Sequence, residues 1–318
     1  MKIAIIGAGG VGGYFGGRLA KEGNHVTFIV RGEHLNVIRK KGLKVMSESG
    51  DFTINPVLAT DELKKVRDHE LIILGVKAWQ VKEIAKSLKH HIDENTVILP
   101  LQNGVMAIEE ISENISRNNI LGGLCRIISK IESPGVIRHI GVEPTIIFGE
   151  LDNTKTDRAV RILDVLQKAG ISSFIAGDIW SELWKKFIAI CVSGLLAVCR
   201  SSYGVVRENQ GTRRLMQELL TEIYELALKE GIGLDENIIE RMMRFIDTLP
   251  YDSTSSLSRD VIGGRPSEIE YQNGTVVRLA EKHGIDVPVN RFIYHCIMPM
   301  EQKARINDAM KEHHKKDE

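Results

Sequence analysis

The sequence predicts an α/β domain built on a doubly wound parallel sheet, followed by an all-α domain. Three observations carry that prediction. The chain opens on a strand–turn–helix–strand unit with glycines in the turn. Short, isoleucine-rich apolar runs then alternate with helical periodicity as far as Ala176. Beyond Gly177-Asp178 the helical periodicity continues and no clear strand-like run remains.

The opening unit is the most informative stretch. Residues 2–6 (KIAII) suit a strand buried on both faces. Directly after them comes Gly7-Ala8-Gly9-Gly10-Val11-Gly12, a G-x-G-x-x-G that opens a helix reaching to about Lys21. In such a turn the first glycine permits the tight bend and the second lets backbone approach a pyrophosphate. The third lets helix and strand pack closely. The helix N-terminus offers N–H groups and the positive end of its dipole to phosphates. This is the pattern of a Rossmann-type dinucleotide-binding domain; a ligand-free glycine turn and an FAD site are the competing readings. Gly23-Asn24 ends the helix, and residues 25–30 (HVTFIV) form the second strand. A site for NAD usually has Asp or Glu after that strand, to accept from the ribose 2′-hydroxyl. Here the residue is Arg31, a cation suited to a 2′-phosphate, which favours NADPH.

The remaining elements follow in order. A helix is expected over residues 33–41, and residues 43–56 alternate around a turn at Glu48-Ser49-Gly50-Asp51, as a hairpin does. Residues 71–76 (LIILGV) read as another doubly buried strand, followed by Lys77-Ala78-Trp79-Gln80 and a helix to Leu88. A strand over 96–99 leads to Leu101-Gln102-Asn103-Gly104 and a helix through Ile111. Residues 120–131 and 135–149 are β-rich around a turn at Ser133-Pro134-Gly135. A helix over 157–169 and a strand over 171–176 complete a first domain of residues 1–178. The second, 179–318, holds helices over 182–200, 211–231, 235–245, 266–283 and 291–302, then a polar tail expected to be loose at its end.

Composition narrows the function. The chain of 318 residues suits two domains, and 42 basic against 42 acidic side chains leave zero net charge. That balance points to no nucleic acid and no membrane surface. No apolar run approaches the ~20 residues of a membrane span, and the N-terminus reads as a core strand rather than a signal peptide. The expectation is a cytoplasmic protein. Cys125, Cys191, Cys199 and Cys296 lack CxxC or CxxH spacing and read as buried thiols. The pairs His90-His91 and His313-His314 lie in polar stretches and read as solvated surface rather than metal ligands.

Ligands of an open α/β sheet sit outside the carboxyl ends of its strands, which draws in Lys77 and Asn103. Each also reads as an ordinary surface lysine or turn residue. In the helical domain Trp184-Lys185-Lys186 precedes the apolar FIAICV. Partial desolvation there lowers a lysine's pKa toward general-acid range, whereas the plainer reading has both heads in water. Glu268 follows Gly263-Gly264-Arg265-Pro266-Ser267. Pro266 suits a first helical position, where Glu268 would complement the helix dipole. Ser253, Ser255 and Ser256 read as caps or loop residues.

Taken together, GAGGVG, Arg31, KAWQ, LQNG, W-x-K and TSSL…RPSEIEYQNG resemble the 2-dehydropantoate 2-reductase (ketopantoate reductase) family, in order and over nearly the whole chain. The resemblance implies NADPH-dependent reduction of a 2-oxo acid to a 2-hydroxy acid, ketopantoate to pantoate in pantothenate biosynthesis. It implies Lys186 as the catalytic lysine, with Lys185 its non-catalytic neighbour, and Glu268 as the active-site glutamate. Ser256 matches the substrate-contacting serine, Asn103 the asparagine between cofactor and substrate, and Lys77 the lysine near the cofactor phosphates. One departure stands out: the family's asparagines four and eight residues after the lysine are here Ile190 and Gly194. Ser193, seven after Lys186 on the same helix face, is expected to offer the substrate a hydroxyl. The wall is more apolar, so a larger apolar keto substrate competes with ketopantoate. A non-catalytic NADPH-binding sensor is the reading from another class; the presence of both Lys186 and Glu268 argues against it. A homodimer through the helical domain is left open.

Overall fold

The computed structural model describes residues 1–317, with side chains through Met310. The chain divides into two compact units: residues 1–102 with 106–183, and residues 103–105 with 184 onward.

The first unit runs β1 (Lys2–Ile6), α1 (Gly10–Lys21), β2 (His25–Ile29), α2 (Gly32–Lys41), β3 (Leu43–Ser47), β4 (Phe52–Ile54), β5 (Leu58–Thr60), β6 (Leu71–Leu74), α3 (Val81–Leu88), β7 (Val97–Pro100) and α4 (Ala107–Ser112). It continues through β8 (Gly122–Arg126), β9 (Ser129–Ser133), β10 (Val136–His139), β11 (Thr145–Gly149), α5 (Asp157–Lys168) and β12 (Ser172–Ile175). Five strands form a parallel sheet in the order β5-β2-β1-β6-β7. Ile3 of β1 pairs with Val26 on one side and Leu71 on the other. The strand order reverses between β1 and β6, the switch point where an open α/β sheet takes its ligand. Strands covered on both faces need continuous apolar sequence, and Ile3, Ala4 and Ile5 are fully buried. Helix α1 lies close on the sheet because of its glycines: a Cβ on Gly16 would come 2.6 Å from Phe28 and 2.7 Å from Ile5.

The β-rich stretch after α4 builds sheets of its own rather than extending the first. One has the order β4-β3-β10-β9 and the other β12-β11-β8. The expected hairpin is present, with Leu43 opposite Ile54, and β10 adds to its other edge in parallel. The short strand β5 was not legible, since three residues show no period.

The second unit is helical: α6 (Ile179–Cys199, its first turns counted with the first unit), α7 (Tyr203–Glu208), α8 (Gln210–Lys229), α9 (Ile238–Thr248), α10 (Ser256–Ile262), α11 (Asn273–His283) and α12 (Pro288–Asp317). Two expectations fail here. No helix starts at Pro266; α10 precedes it, Gly263 and Gly264 (φ +62°) end α10, and α11 begins only at Asn273. Glu268 therefore sits before a 3-10 turn, Ile269–Tyr271, rather than in a first helical turn. Helix α12 also continues past Gln302. Ile293, Ile297, Glu301 and Ala304 keep one face buried across that point, so packing sustains the helix despite Pro299. The His313-His314 side chains lie outside those described.

All four cysteines are free. Cys125 and Cys191 are buried as expected, but Cys199 is half-buried and Cys296 exposed, the latter on the outer face of α12. Among the described residues no helix is long and apolar enough to cross a membrane.

Candidate functional site

The glycine turn distinguishes its three glycines by what surrounds them. Gly7 has φ +92°, donates its N–H to the Ile29 carbonyl at 2.9 Å, and would push a Cβ to 2.6 Å from Val76. A Cβ on Gly12 would collide with the Gly7 carbonyl. Gly9 is different: nothing lies within 4 Å of where its Cβ would be. The protein itself demands the first and third glycines, and the second leaves open space for a ligand. Helix α1 starts with no side-chain cap and no acidic residue in its first turn, so its N-terminal end suits an anion. Gly7, Ala8, Gly9, Gly10, Val11 and Gly12 thus fit a dinucleotide pyrophosphate.

Arg31 is exposed and extended (φ −129°), immediately before α2. Lys77 is exposed after β6, its Nζ 5.7 Å from the centre of the Trp79 ring, and its backbone N–H donates to Gln80 Oε1. Gln102 is 6% exposed and donates from Nε2 to the carbonyls of Leu74 (2.8 Å) and Val76 (3.1 Å). That residue of the LQNG motif is occupied in joining two strand ends.

In the second unit the next residue of the motif does something else. Asn103 donates from Nδ2 to Glu268 Oε2 at 3.1 Å. Gly104 (φ +97°) leaves no room for a Cβ, which would lie 2.6 Å from the Tyr271 carbonyl. Two motifs 165 residues apart therefore meet at a carboxylate that is only 7% exposed. Lys186 rides on α6, where Trp184, Phe187 and Ile188 are buried and Trp184 meets Phe187 edge-on at 5.4 Å. Lys185, Lys186 and Ile190 are each half-buried, and Lys186 and Ile190 share one face one turn apart.

Two positions of that wall have neighbours within the helical unit that spacing did not reveal. Ser193 is 4% exposed, and its hydroxyl bonds to Tyr203. Burial pushes the Tyr203 phenol up, with Ser193 pulling the other way. The hydroxyl thus has one neighbour inside the helical unit and keeps acceptor capacity for another. Gly194 is a packing position: a Cβ there would collide with Asn273 Oδ1 and come 2.6 Å from Ile293. A larger side chain there requires Asn273 or Ile293 to shift. Of the two departures from the pattern that the resemblance implies, Ile190 is half-buried and Gly194 is buried. Ser255, not Ser256, caps α10, accepting from the Ser258 N–H at 3.0 Å. Ser256 is exposed, and its hydroxyl is not needed for the cap.

Some positioning residues were not singled out from sequence. His34 touches the glycine turn, and the buried Glu301 holds Ser267, next to Glu268, through its N–H at 2.9 Å and Oγ at 2.6 Å. Both sit inside ordinary helical periodicity, and the groups they hold, at Ala8, Gly135 and Ser267, are distant in sequence and leave no mark on spacing.

Comparison with known proteins gives a consistent result. The family model described as "Ketopantoate reductase PanE/ApbA" matches residues 3–153, and its C-terminal counterpart matches residues 178–301. A 2-dehydropantoate 2-reductase of Pyrococcus abyssi is 32% identical over 302 residues, 93% of this chain and 97% of that one. An uncharacterized oxidoreductase of Bacillus subtilis, YkpB, is 30% identical over 92% of this chain and 97% of its own. Among solved structures, a ternary complex of D-mandelate dehydrogenase with NADH and anilino(oxo)acetate matches with TM-score 0.86 and 25% identity, over 96% of this chain and all of that one.

Proposed function

The chain belongs to the ketopantoate reductase PanE/ApbA family and is an oxidoreductase, and on that premise we propose that it reduces a 2-oxo acid to a 2-hydroxy acid with NADPH. The substrate we assign first is 2-dehydropantoate, giving pantoate. We assign dinucleotide binding to residues 1–178 and the chemistry of the substrate to residues 179–318 together with Asn103. The observation that carries the reading is the Asn103–Glu268 hydrogen bond, which joins two separate motifs at one buried carboxylate.

The residues divide the work. Gly7 to Gly12 take the pyrophosphate, Arg31 the 2′-phosphate, and Lys77 a phosphate oxygen. NADPH supplies the hydride to the ketone carbon. Negative charge then develops on the carbonyl oxygen, and Lys186 Nζ gives it a proton. Glu268, held by Asn103, orients Lys186 or the substrate, and Ser256 binds the substrate's polar end. A second reading is favoured by Ile190, half-buried one turn from Lys186. On it, the substrate is a 2-oxo acid with a larger apolar group, of the kind found with D-mandelate dehydrogenase.

Exchange of Lys186 for alanine tests the proton donor. Lys186→Ala should lower kcat by roughly 10²–10⁴-fold, the contribution of a positioned general acid, with NADPH affinity nearly unchanged. Lys185→Ala is the control, since adjacent helical side chains point ~100° apart, and its loss should be mild. Equal, small losses in both variants would contradict the assignment.

A further inference from the structure

His34 lies in the first turn of α2, three residues past Arg31, and both of its ring nitrogens engage backbone. Nδ1 accepts from the Gly135 N–H at 2.9 Å. A nitrogen that accepts carries no proton, so Nε2 bears it and donates to the Ala8 carbonyl, also at 2.9 Å. The ring is a neutral bridge between the glycine turn and the turn joining β9 to β10. Burial pulls the imidazole below its ordinary value, against the raising effect of the bond to Ala8, and so favours that neutral form.

The bridge is rigid at both ends. Gly135 has φ +77° and sits flush on α2, where a Cβ would come 2.6 Å from Val37. Its carbonyl accepts from the Lys44 N–H at 2.9 Å, which anchors it to β3. At the other end Ala8 is 1% exposed, between Gly7 with its positive φ and Gly9 with its open surroundings. The Ala8 carbonyl and the Gly9 N–H belong to one planar trans peptide and point in opposite directions. Whatever fixes the carbonyl therefore fixes the amide. We propose that His34 is a positioning residue of the dinucleotide site, aiming the Gly9 N–H at the phosphates by holding the Ala8 carbonyl.

This inference rests on the dinucleotide reading of the first unit, and it differs in kind from the role of Arg31. Arg31 discriminates between the two nicotinamide dinucleotides, whereas an amide aimed at the pyrophosphate serves both alike. The test measures dissociation constants for NADPH and NADH by fluorescence titration of the full chain and of His34→Ala, His34→Gln and Arg31→Ala. His34→Ala should weaken both dinucleotides by the same factor, roughly three- to tenfold, and keep their ratio. His34→Gln, whose amide both donates and accepts, should recover most of the loss. Arg31→Ala should instead erase the preference for NADPH, by roughly ten- to a hundredfold. Nitrogen-15 spectra of the histidines should show His34 as the Nε2–H tautomer. Unchanged affinities in His34→Ala, a changed ratio, or an Nδ1–H tautomer would overturn the inference and leave the dinucleotide reading standing. A protein that binds neither dinucleotide would overturn both.

Discussion

Ile190 and Gly194 occupy the two positions where the family resemblance implies asparagine, and the structure gives them different surroundings. Position 190 is half-buried on the face of Lys186, while position 194 is pressed against Asn273 and Ile293. Ile190→Asn should raise turnover of 2-dehydropantoate relative to more apolar 2-oxo acids. Gly194→Asn should instead destabilise the fold by about 1–3 kcal/mol through overpacking, read from denaturant unfolding. If Gly194→Asn is as stable as the parent while Ile190→Asn leaves the substrate ratio untouched, the two roles are misassigned. A helical wheel puts residues 186, 190, 193 and 194 on one side of α6, and that much was legible. It says nothing about which neighbour meets each of them. The neighbour of Ser193, Tyr203, was not legible, because it sits in a six-residue helix that gives no periodic signal.

Among the elements, those defined by strong local chemistry were read well. The turn at Gly7 to Gly12, the β3–β4 hairpin and the long α6 all follow from glycines or period. The segment from Ser256 to Asn273 did not. Its course depends on Gly263, Gly264 and the distant Glu301 holding Ser267, and Pro266 at a plausible helix start pointed the wrong way. The start of α5 makes an element-scale prediction. Glu150 lies just past β11 and is 5% exposed; it accepts from Thr156 Oγ1, Arg158 Nε and Arg158 Nη2. Burial raises its carboxyl, but the bonds from Arg158 and Thr156 outweigh this and hold it below the usual value. A depressed carboxyl contributes stability that is present above its unfolded value, near 4.5, and lost as pH falls through the folded one. Arg158→Ala should cost about 2–3 kcal/mol at neutral pH, under the ~3–5 of a fully buried pair because Arg158 stays partly exposed. The variant should also lose less stability than the parent on acidification below that value. Parallel acid profiles in urea unfolding would contradict the role given to Glu150.

At the scale of the molecule, the change of texture after Gly177-Asp178 announced a helical half, because doubly buried strands and amphipathic helices leave different periods. The assignment of residues 103–105 to the helical unit was not legible. Asn103 lies in a loop among α/β periodicity, and only its bond to Glu268 and the seat of Gly104 against Tyr271 reveal where it belongs. On the proposed reading, this chain oxidises NADPH by reducing 2-oxo acids, with Lys186 as the acid. The direct measurement follows the absorbance of reduced nicotinamide as the protein meets NADPH and a panel of 2-oxo acids, from 2-dehydropantoate to larger apolar members. Oxidation is expected with at least one of them, greatly slowed in Lys186→Ala. Tight NADPH binding with no oxidation across the panel would contradict it and return the chain to the class of dinucleotide sensors.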